Sequence, residues 1–260
     1  MKQIIKGIAR CAFFADPSSI YYGPMRGVKL PRVFARANLA MGLGVYERHI
    51  QRVLEKECQD AKTVYDIGAH VGYFSLLFGH LLKGDGRILA FEPSPRERAV
   101  FADLIAVNTF RDRVELLPWA VSDESGELSF APRSFTGILQ KANPEKHKDT
   151  DSITVRSVTL DECVYELQKP APDLLKVDVE SAEALVIDGA RTLLSEHRPR
   201  LLIEVHGPDP CEQTLAKLLE MNYQLFLLRD EERTEILEPN GVHPYFSKEN
   251  WTNHVLCYPR

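Results

Sequence analysis

An open α/β sheet with helices on both faces, built to hold a nucleotide-like ligand, is the fold class this sequence predicts. Three observations predict it. The first is Thr63-Val64-Tyr65-Asp66-Ile67, a β-branched and apolar run that reads as a buried strand, followed by Gly68-Ala69-His70-Val71-Gly72 with its two glycines. The second is Tyr73 to Leu82, too apolar all round to be a surface helix. The third is Arg87-Ile88-Leu89-Ala90-Phe91, a second strand ending in Glu92. Glu92 lies about twenty residues past the turn, where an acidic residue meets ribose hydroxyls in nucleotide-binding α/β units. Glycines let the backbone approach a ligand with no Cβ in the way. The helix start offers free N–H groups to an anionic group.

Two ligand types compete for this turn. A dinucleotide fingerprint needs G-x-G-x-x-G, because the pyrophosphate requires the middle glycine. Here the spacing is Asp66-x-Gly68-x-x-x-Gly72. An acidic group just before the turn suits a ligand that carries an ammonium group and no pyrophosphate, and S-adenosylmethionine (SAM) is such a ligand. The plainer alternative is that Asp66 caps the helix and the glycines only turn the chain. A nicotinamide-dependent oxidoreductase is disfavoured by the missing fingerprint.

The remaining elements follow in chain order. Lys2, Lys6 and Arg10 recur every four residues beside Ile4, Ile5 and Ile8, which predicts a short basic amphipathic helix. It either packs on the domain or, through residues 1–15, makes weak peripheral contact with a membrane surface. Arg10 interrupts the apolar run and argues against a signal peptide. Residues 21–44 are rich in glycine and proline, carry Arg26, Lys29, Arg32 and Arg36, and read as a loop or short hairpin covering the site. Residues 1–44 are thus expected as an extension and 45–260 as the main domain. From Val45 to Gln59, Tyr46, Ile50, Val53, Leu54 and Cys58 share one helical face. Pro93 and Pro95 open a helix running to about Asn108, and Val114 to Leu117 is the third strand.

Trp119 to Asp123 follows at the C-terminal edge of that strand, where ligands sit in open α/β sheets. Glu127 to Phe130 and Ile153 to Val158 read as an inserted β-hairpin, with polar Gln140 to Ser152 between them. Thr159-x-x-Glu162 is a capping box. Asp173 to Asp178 is a fourth, buried strand beside the first, and its Lys176 and Asp178 both need partners. A helix carrying Leu185, Val186, Leu193 and Leu194 is bent at Gly189. Arg200 to Val205 is the fifth strand, and Leu215, Leu218 and Leu219 mark one more helix. Tyr223 to Leu228 and Asn253 to Tyr258 close the chain as an antiparallel pair.

Composition removes several classes. Hydrophobic content of 44% and charged content of 27% suit a soluble globular chain rather than a disordered one. A net charge of −5 supplies no global field for nucleic acid. The five cysteines are scattered without a C-x-x-C pair, which favours free thiols in a reducing, cytoplasmic setting over disulfides or zinc. No stretch approaches the roughly 20 apolar residues of a transmembrane span.

Asp66-Ile67-Gly68-Ala69-His70-Val71-Gly72-Tyr73-Phe74-Ser75 followed by Ala90-Phe91-Glu92-Pro93-Ser94-Pro95 resembles the FkbM family of class I SAM-dependent methyltransferases. Asn108, Ala120-Val121-Ser122-Asp123 with Gly126, Thr159-Leu160-Asp161, Lys176-Val177-Asp178-Val179-Glu180 and Ile203-Glu204-Val205-His206 extend the resemblance in family order. It departs at Ser181, where the K-x-D-x-E-G pattern has glycine. The resemblance implies a Rossmann-like fold with a seven-stranded, mostly parallel sheet. It implies SAM as cofactor, held by Asp66, Gly68, Ala69, His70, Gly72, Glu92, Pro93 and Ser94. Ala120, Val121, Ser122 and Asp123 are expected near the adenine. Tyr46 and Glu47 are expected to lid the methionine end, although Glu47 also suits a helix N-terminus.

Methyl transfer from SAM is an in-line displacement, so much of the catalysis is positioning. A hydroxyl acceptor needs a base or a metal. Asp178, Glu180, Glu204 and His206 end neighbouring central strands. Glu180 or His206 is the candidate base, with Asp178 beside them and also expected at the cofactor. The same residues could hold a divalent cation, but no metal site is assigned. Asp178-Val179-Glu180-Ser181 replaces the D/N-P-P-Y/F of base-modifying enzymes, which argues against nucleic acid. The expected acceptor, by family analogy alone, is a hydroxyl on a sugar, glycan or secondary metabolite. The alternative is a SAM-binding scaffold that has lost transfer.

Overall fold

The computed structural model describes residues 19–133, 136–140, 152–229, 232–247 and 251–260. The basic N-terminal segment and most of the polar stretch after Gln140 lie outside them.

The predicted strands assemble as β1 (Thr63–Ile67), β2 (Arg87–Phe91), β3 (Val114–Leu117), β8 (Leu174–Val177), β9 (Arg200–His206), β10 (Tyr223–Arg229) and β12 (Thr252–Pro259). Strand β1 is central and pairs in parallel with β2 and β8. Its burial is complete, which is why the run reads as continuous rather than alternating. Strand β12 runs antiparallel between β9 and β10. The sheet has eight strands, not seven: β11 (Glu232–Ile236) adds an antiparallel edge. Its exposed Glu232, Arg233, Thr234 and Glu235 carry no apolar signal, and its ladder bonds to β10 alone define it.

Helices cover both faces. On one face α3 (Arg48–Glu57), α4 (Tyr73–Leu81) and α5 (Pro95–Ala106) pack over Val64. On the other, α6 (Glu183–Asp188), α7 (Arg191–Glu196) and α8 (Pro208–Glu220) pack over Tyr65 and Ile67. Alternate residues of one strand thus serve opposite cores. Gly189 separates α6 from α7, and a Cβ there would lie 2.0 Å from the Ser122 carbonyl oxygen.

The expected hairpin is a four-stranded sheet of its own, ordered β4-β7-β5-β6. Its strands are β4 (Trp119–Val121), β5 (Gly126–Arg133), β6 (Thr136–Gln140) and β7 (Ile153–Val158). The β5–β7 pairing matches the expectation, and β4 and β6 extend it on either side. The predicted capping box is half formed. Thr159 Oγ1 accepts the Glu162 N–H at 2.9 Å, while the Thr159 N–H donates to Ser125 Oγ, whose hydroxyl reaches the Glu162 carboxylate. It opens a short π-helical turn, Glu162–Glu166.

Residues 21–44 are not the expected loop throughout. Ser19 and Lys29 bridge as a short hairpin, but α1 (Arg32–Ala37) and α2 (Leu39–Leu43) follow. Ile20, Met25, Val28 and Leu30 join the same core as Leu54 and Phe101. Asn108 ties this segment down by accepting the Lys29 N–H and donating to the Lys29 carbonyl, each at 3.0 Å.

Candidate active site

A cavity of about 460 Å³ opens at the C-terminal ends of β1, β2, β8 and β9. One wall is the glycine turn and the end of β2. Gly68 has φ +77, and a Cβ there would lie 1.8 Å from the Asp178 carbonyl oxygen, so the turn sits flat against β8. The N–H groups of Gly68 and Ala69 both donate to the Phe91 carbonyl at 3.0 Å. The His70 N–H donates to Glu92 Oε2 and the Ser94 N–H to Glu92 Oε1, both at 2.8 Å. Glu92 is thereby fixed by backbone on both oxygens, with acceptor capacity left for the cavity it lines. Burial pushes its carboxyl up to about 7 against the pull of those two hydrogen bonds.

The other expected cofactor residues divide. Gly68, His70, Pro93, Ser94, Ala120, Val121, Tyr46, Glu47 and Asp178 line the cavity; Asp66, Ala69, Gly72, Ser122 and Asp123 do not. Asp66 is fully buried and accepts the Ser75 hydroxyl at 2.6 Å, with Lys176 Nζ at 3.9 Å. It fastens β1 to α4 and β8 rather than presenting its carboxylate to the cavity, and burial raises its pKa. Gly72 starts α4. The Ser122 hydroxyl donates to Asp123 Oδ1 at 2.9 Å.

The opposite wall is charged. Lys176, buried as expected, donates to Asp178 Oδ2 at 3.1 Å and lies 4.8 Å over the Phe74 ring. Burial opposes its charge, but Asp178 and Asp66 overcome that and hold its pKa above normal. Burial also opposes ionisation of Asp178, which Lys176 nonetheless holds below the usual carboxylate range. His206 Nε2 lies 3.8 Å from each of Asp178, Glu180 and Glu204. Its Nδ1 meets Glu183 Oε1 at 2.6 Å. Burial works against a charged imidazole there, yet Glu183 and the other carboxylates push it up to about 9. Burial raises the Glu180 carboxyl.

Glu47 does stand at a helix N-terminus, before α3, but its carboxylate turns inward. His254 Nε2 is 3.4 Å from both Glu47 Oε2 and Glu204 Oε2. Against its burial, those two carboxylates push His254 up to about 9. The Tyr46 ring packs edge-on against Tyr73 at 5.5 Å. Two sets of side chains, Asp178–Glu204–His206 and Glu47–Glu204–His254, each bring their ligand atoms within 4.8 Å of one another. Such oxygen and nitrogen donors suit a divalent cation.

Several site residues carry no signal in the sequence. Glu183 reads as the first residue of a helix and His254 as one histidine in an apolar strand. Phe34, Met41, Trp119 and Phe130 read as ordinary apolar residues, yet line the cavity from α1, α2 and the second sheet.

The methyltransferase FkbM domain matches residues 66–225. The hexuronic acid methyltransferase AglP of Haloferax volcanii is 27% identical over 172 residues, covering 65% of this chain and 66% of its own, just under two thirds of that relative. The 31-O-demethyl-FK506 methyltransferase FkbM of Streptomyces tacrolimicus is 30% identical over 193 residues, covering 63% of this chain and 72% of its own. The crystal structure of a methyltransferase FkbM from Methylobacillus flagellatus KT aligns with TM-score 0.49 at 17% identity, over 76% of this chain and 44% of that one. The family match runs from the end of β1 to β10 and takes in the glycine turn, Glu92 and the acidic strand ends: the chain belongs to the FkbM methyltransferase family.

Proposed function

We propose that this protein transfers a methyl group from SAM to a hydroxyl of a sugar, glycan or secondary metabolite. The observation that carries the reading is the two-sided cavity. A backbone-fixed carboxylate, Glu92, faces it from the end of β2, and Asp178, Glu180, Glu204 and His206 face it from the ends of β8 and β9. Gly68 lets the turn lie against the Asp178 backbone, and Glu92, held by two backbone N–H groups, keeps acceptor capacity, as an adenosine ribose requires. SAM supplies an activated methyl on a sulfonium sulfur. Glu92 binds the ribose hydroxyls. Ala120 and Val121 would lie alongside the adenine, and Tyr46 and Glu47 would hold the methionine end. Asp178 sits at the join between cofactor and acceptor.

Bound SAM would supply the methyl carbon to the acceptor oxygen, with the sulfur leaving as a neutral thioether that keeps the electron pair. Glu180 or His206 receives the hydroxyl proton. The sulfonium charge would favour the neutral form of His206 by like-charge repulsion and so leave a ring nitrogen free to accept the proton. The FK506 relative is named for a 31-O-demethyl acceptor, which supports transfer to oxygen, and AglP for a hexuronic acid, which supports an oxygen-rich acceptor. Among the described residues no helix is long and apolar enough to cross a membrane, and four buried cysteines are free thiols, which supports a cytoplasmic setting.

The test is transfer of label from methyl-labelled SAM to a panel of monosaccharides, uronic acids and polyketide alcohols. Label in an alkali-stable methyl ether is expected. Label only on amines would refute the acceptor class. Transfer that survives alanine at both Glu180 and His206 would refute the base. Ser181, the departure from the family pattern that would favour a non-catalytic scaffold, adopts φ 70, the left-handed backbone a glycine would take there.

A further inference from the structure

Glu180 and Ser181 are consecutive non-glycine residues in the left-handed region, with φ 48 and 70, in the turn from β8 to α6. Each such residue costs about 1–3 kcal/mol and persists only where its surroundings over-determine it. Those surroundings are visible. The Ser181 N–H donates to Glu183 Oε1 at 3.0 Å, and the Ser181 hydroxyl donates to the His206 carbonyl at 3.3 Å. The same Glu183 oxygen lies 2.6 Å from His206 Nδ1. Glu183 is fully buried and outside the cavity lining, so it does not touch a ligand. A carboxylate buried there is costly unless it is paired and hydrogen-bonded, and the Ser181 N–H and His206 Nδ1 are its partners.

Glu183 meets one ring nitrogen of His206, while the other faces the cavity among Asp178, Glu180 and Glu204. A carboxylate only accepts hydrogen bonds, so neutral His206 must carry its proton on Nδ1 and leave Nε2 with a free lone pair. We propose that Glu183, steadied by Ser181, is a positioning residue that fixes the His206 tautomer and makes Nε2 the proton acceptor for the substrate hydroxyl. This rests on the methyl-transfer reading above and selects His206 over Glu180 as base. The serine that replaces the family glycine adds a hydroxyl contact to the His206 backbone that glycine lacks.

The test is long-range ¹H–¹⁵N correlation of the imidazoles in wild type, Glu183→Gln and Glu183→Leu. The His206 signals are identified by their loss in His206→Asn. Above about pH 9, where His206 is neutral, its proton is expected on Nδ1 in wild type and in Glu183→Gln, whose amide oxygen still accepts. In Glu183→Leu it is expected to revert to the Nε2–H form that free histidine prefers. A proton on Nε2 in wild type, or on Nδ1 in Glu183→Leu, would overturn the proposal. Calorimetric titration with S-adenosylhomocysteine is expected to give the same affinity in all three proteins. Affinity lost in Glu183→Leu and Glu183→Gln alone would assign Glu183 to the cofactor pocket and also overturn it. No binding even to wild type would count against the methyl-donor reading and leave the tautomer result standing.

Discussion

The two walls of the cavity are built by different means. The β1–β2 wall is set by backbone: a left-handed glycine against Asp178, paired N–H groups on the Phe91 carbonyl, and two more on Glu92. The β8–β9 wall is set by side chains whose charges balance one another: Lys176 with Asp178, His206 with Glu183, His254 with Glu47 and Glu204. The first wall is rigid and suits an invariant cofactor. The second depends on side-chain charge, and in the proposed reading it would meet the acceptor and take its proton.

The contrast can be broken from either side. The largest effect is expected for Gly68→Ala, whose Cβ would collide with the β8 backbone. A loss of about 5 kcal/mol is expected, read by denaturant unfolding; a midpoint unchanged from wild type would mean the turn is not the rigid element. Next is Lys176→Met, which removes the buried cation beside Asp66 and leaves Asp178 with only the His206 ring at 3.8 Å. Removing one partner of such a pair costs about 3–5 kcal/mol. That deficit should shrink as pH falls, because protonated carboxylates no longer need the cation, and a deficit that grows in acid would contradict the assignment.

A smaller effect is expected from pH alone. Glu92 has its carboxyl raised to about 7, so it is ionised above that value and protonated below it. Affinity for S-adenosylhomocysteine should fall about fivefold to tenfold between pH 8 and pH 6, roughly as the ionised fraction does. Glu92→Gln should flatten that slope, and an unchanged slope in the variant would place the titrating group elsewhere. The smallest effect is expected for Ser181→Gly. Relief of the left-handed strain outweighs one long hydroxyl bond, for a gain of about 0.5 kcal/mol. A clear loss of stability would show that the hydroxyl contact dominates.

The backbone-built wall was legible in the sequence because its devices are local. Gly68 and Glu92 announce themselves within two strand–turn units, and the seven core strands follow from apolar runs. In the sequence Asp66 reads as a group meeting the ligand or capping the helix, whereas its bond to Ser75 and approach to Lys176 depend on α4 and β8 coming together. The side-chain wall was legible only at its strand ends. Glu183 and His254 join it through contacts 23 residues and about fifty residues away from their partners along the chain, which no local pattern encodes. The edge strand β11 was hidden because a solvent-facing edge needs no apolar alternation, and β4 because its partner β7 lies far along the chain.

The central claim is that the backbone-built wall holds S-adenosylmethionine through Glu92. Calorimetric titration of the wild-type protein and Glu92→Ala with S-adenosylhomocysteine, and with NAD in parallel, tests it most directly. Micromolar S-adenosylhomocysteine binding, weakened about tenfold to a hundredfold in the variant, with none for NAD, is the predicted result. Binding of NAD in preference, or wild type and variant binding S-adenosylhomocysteine alike, would contradict it.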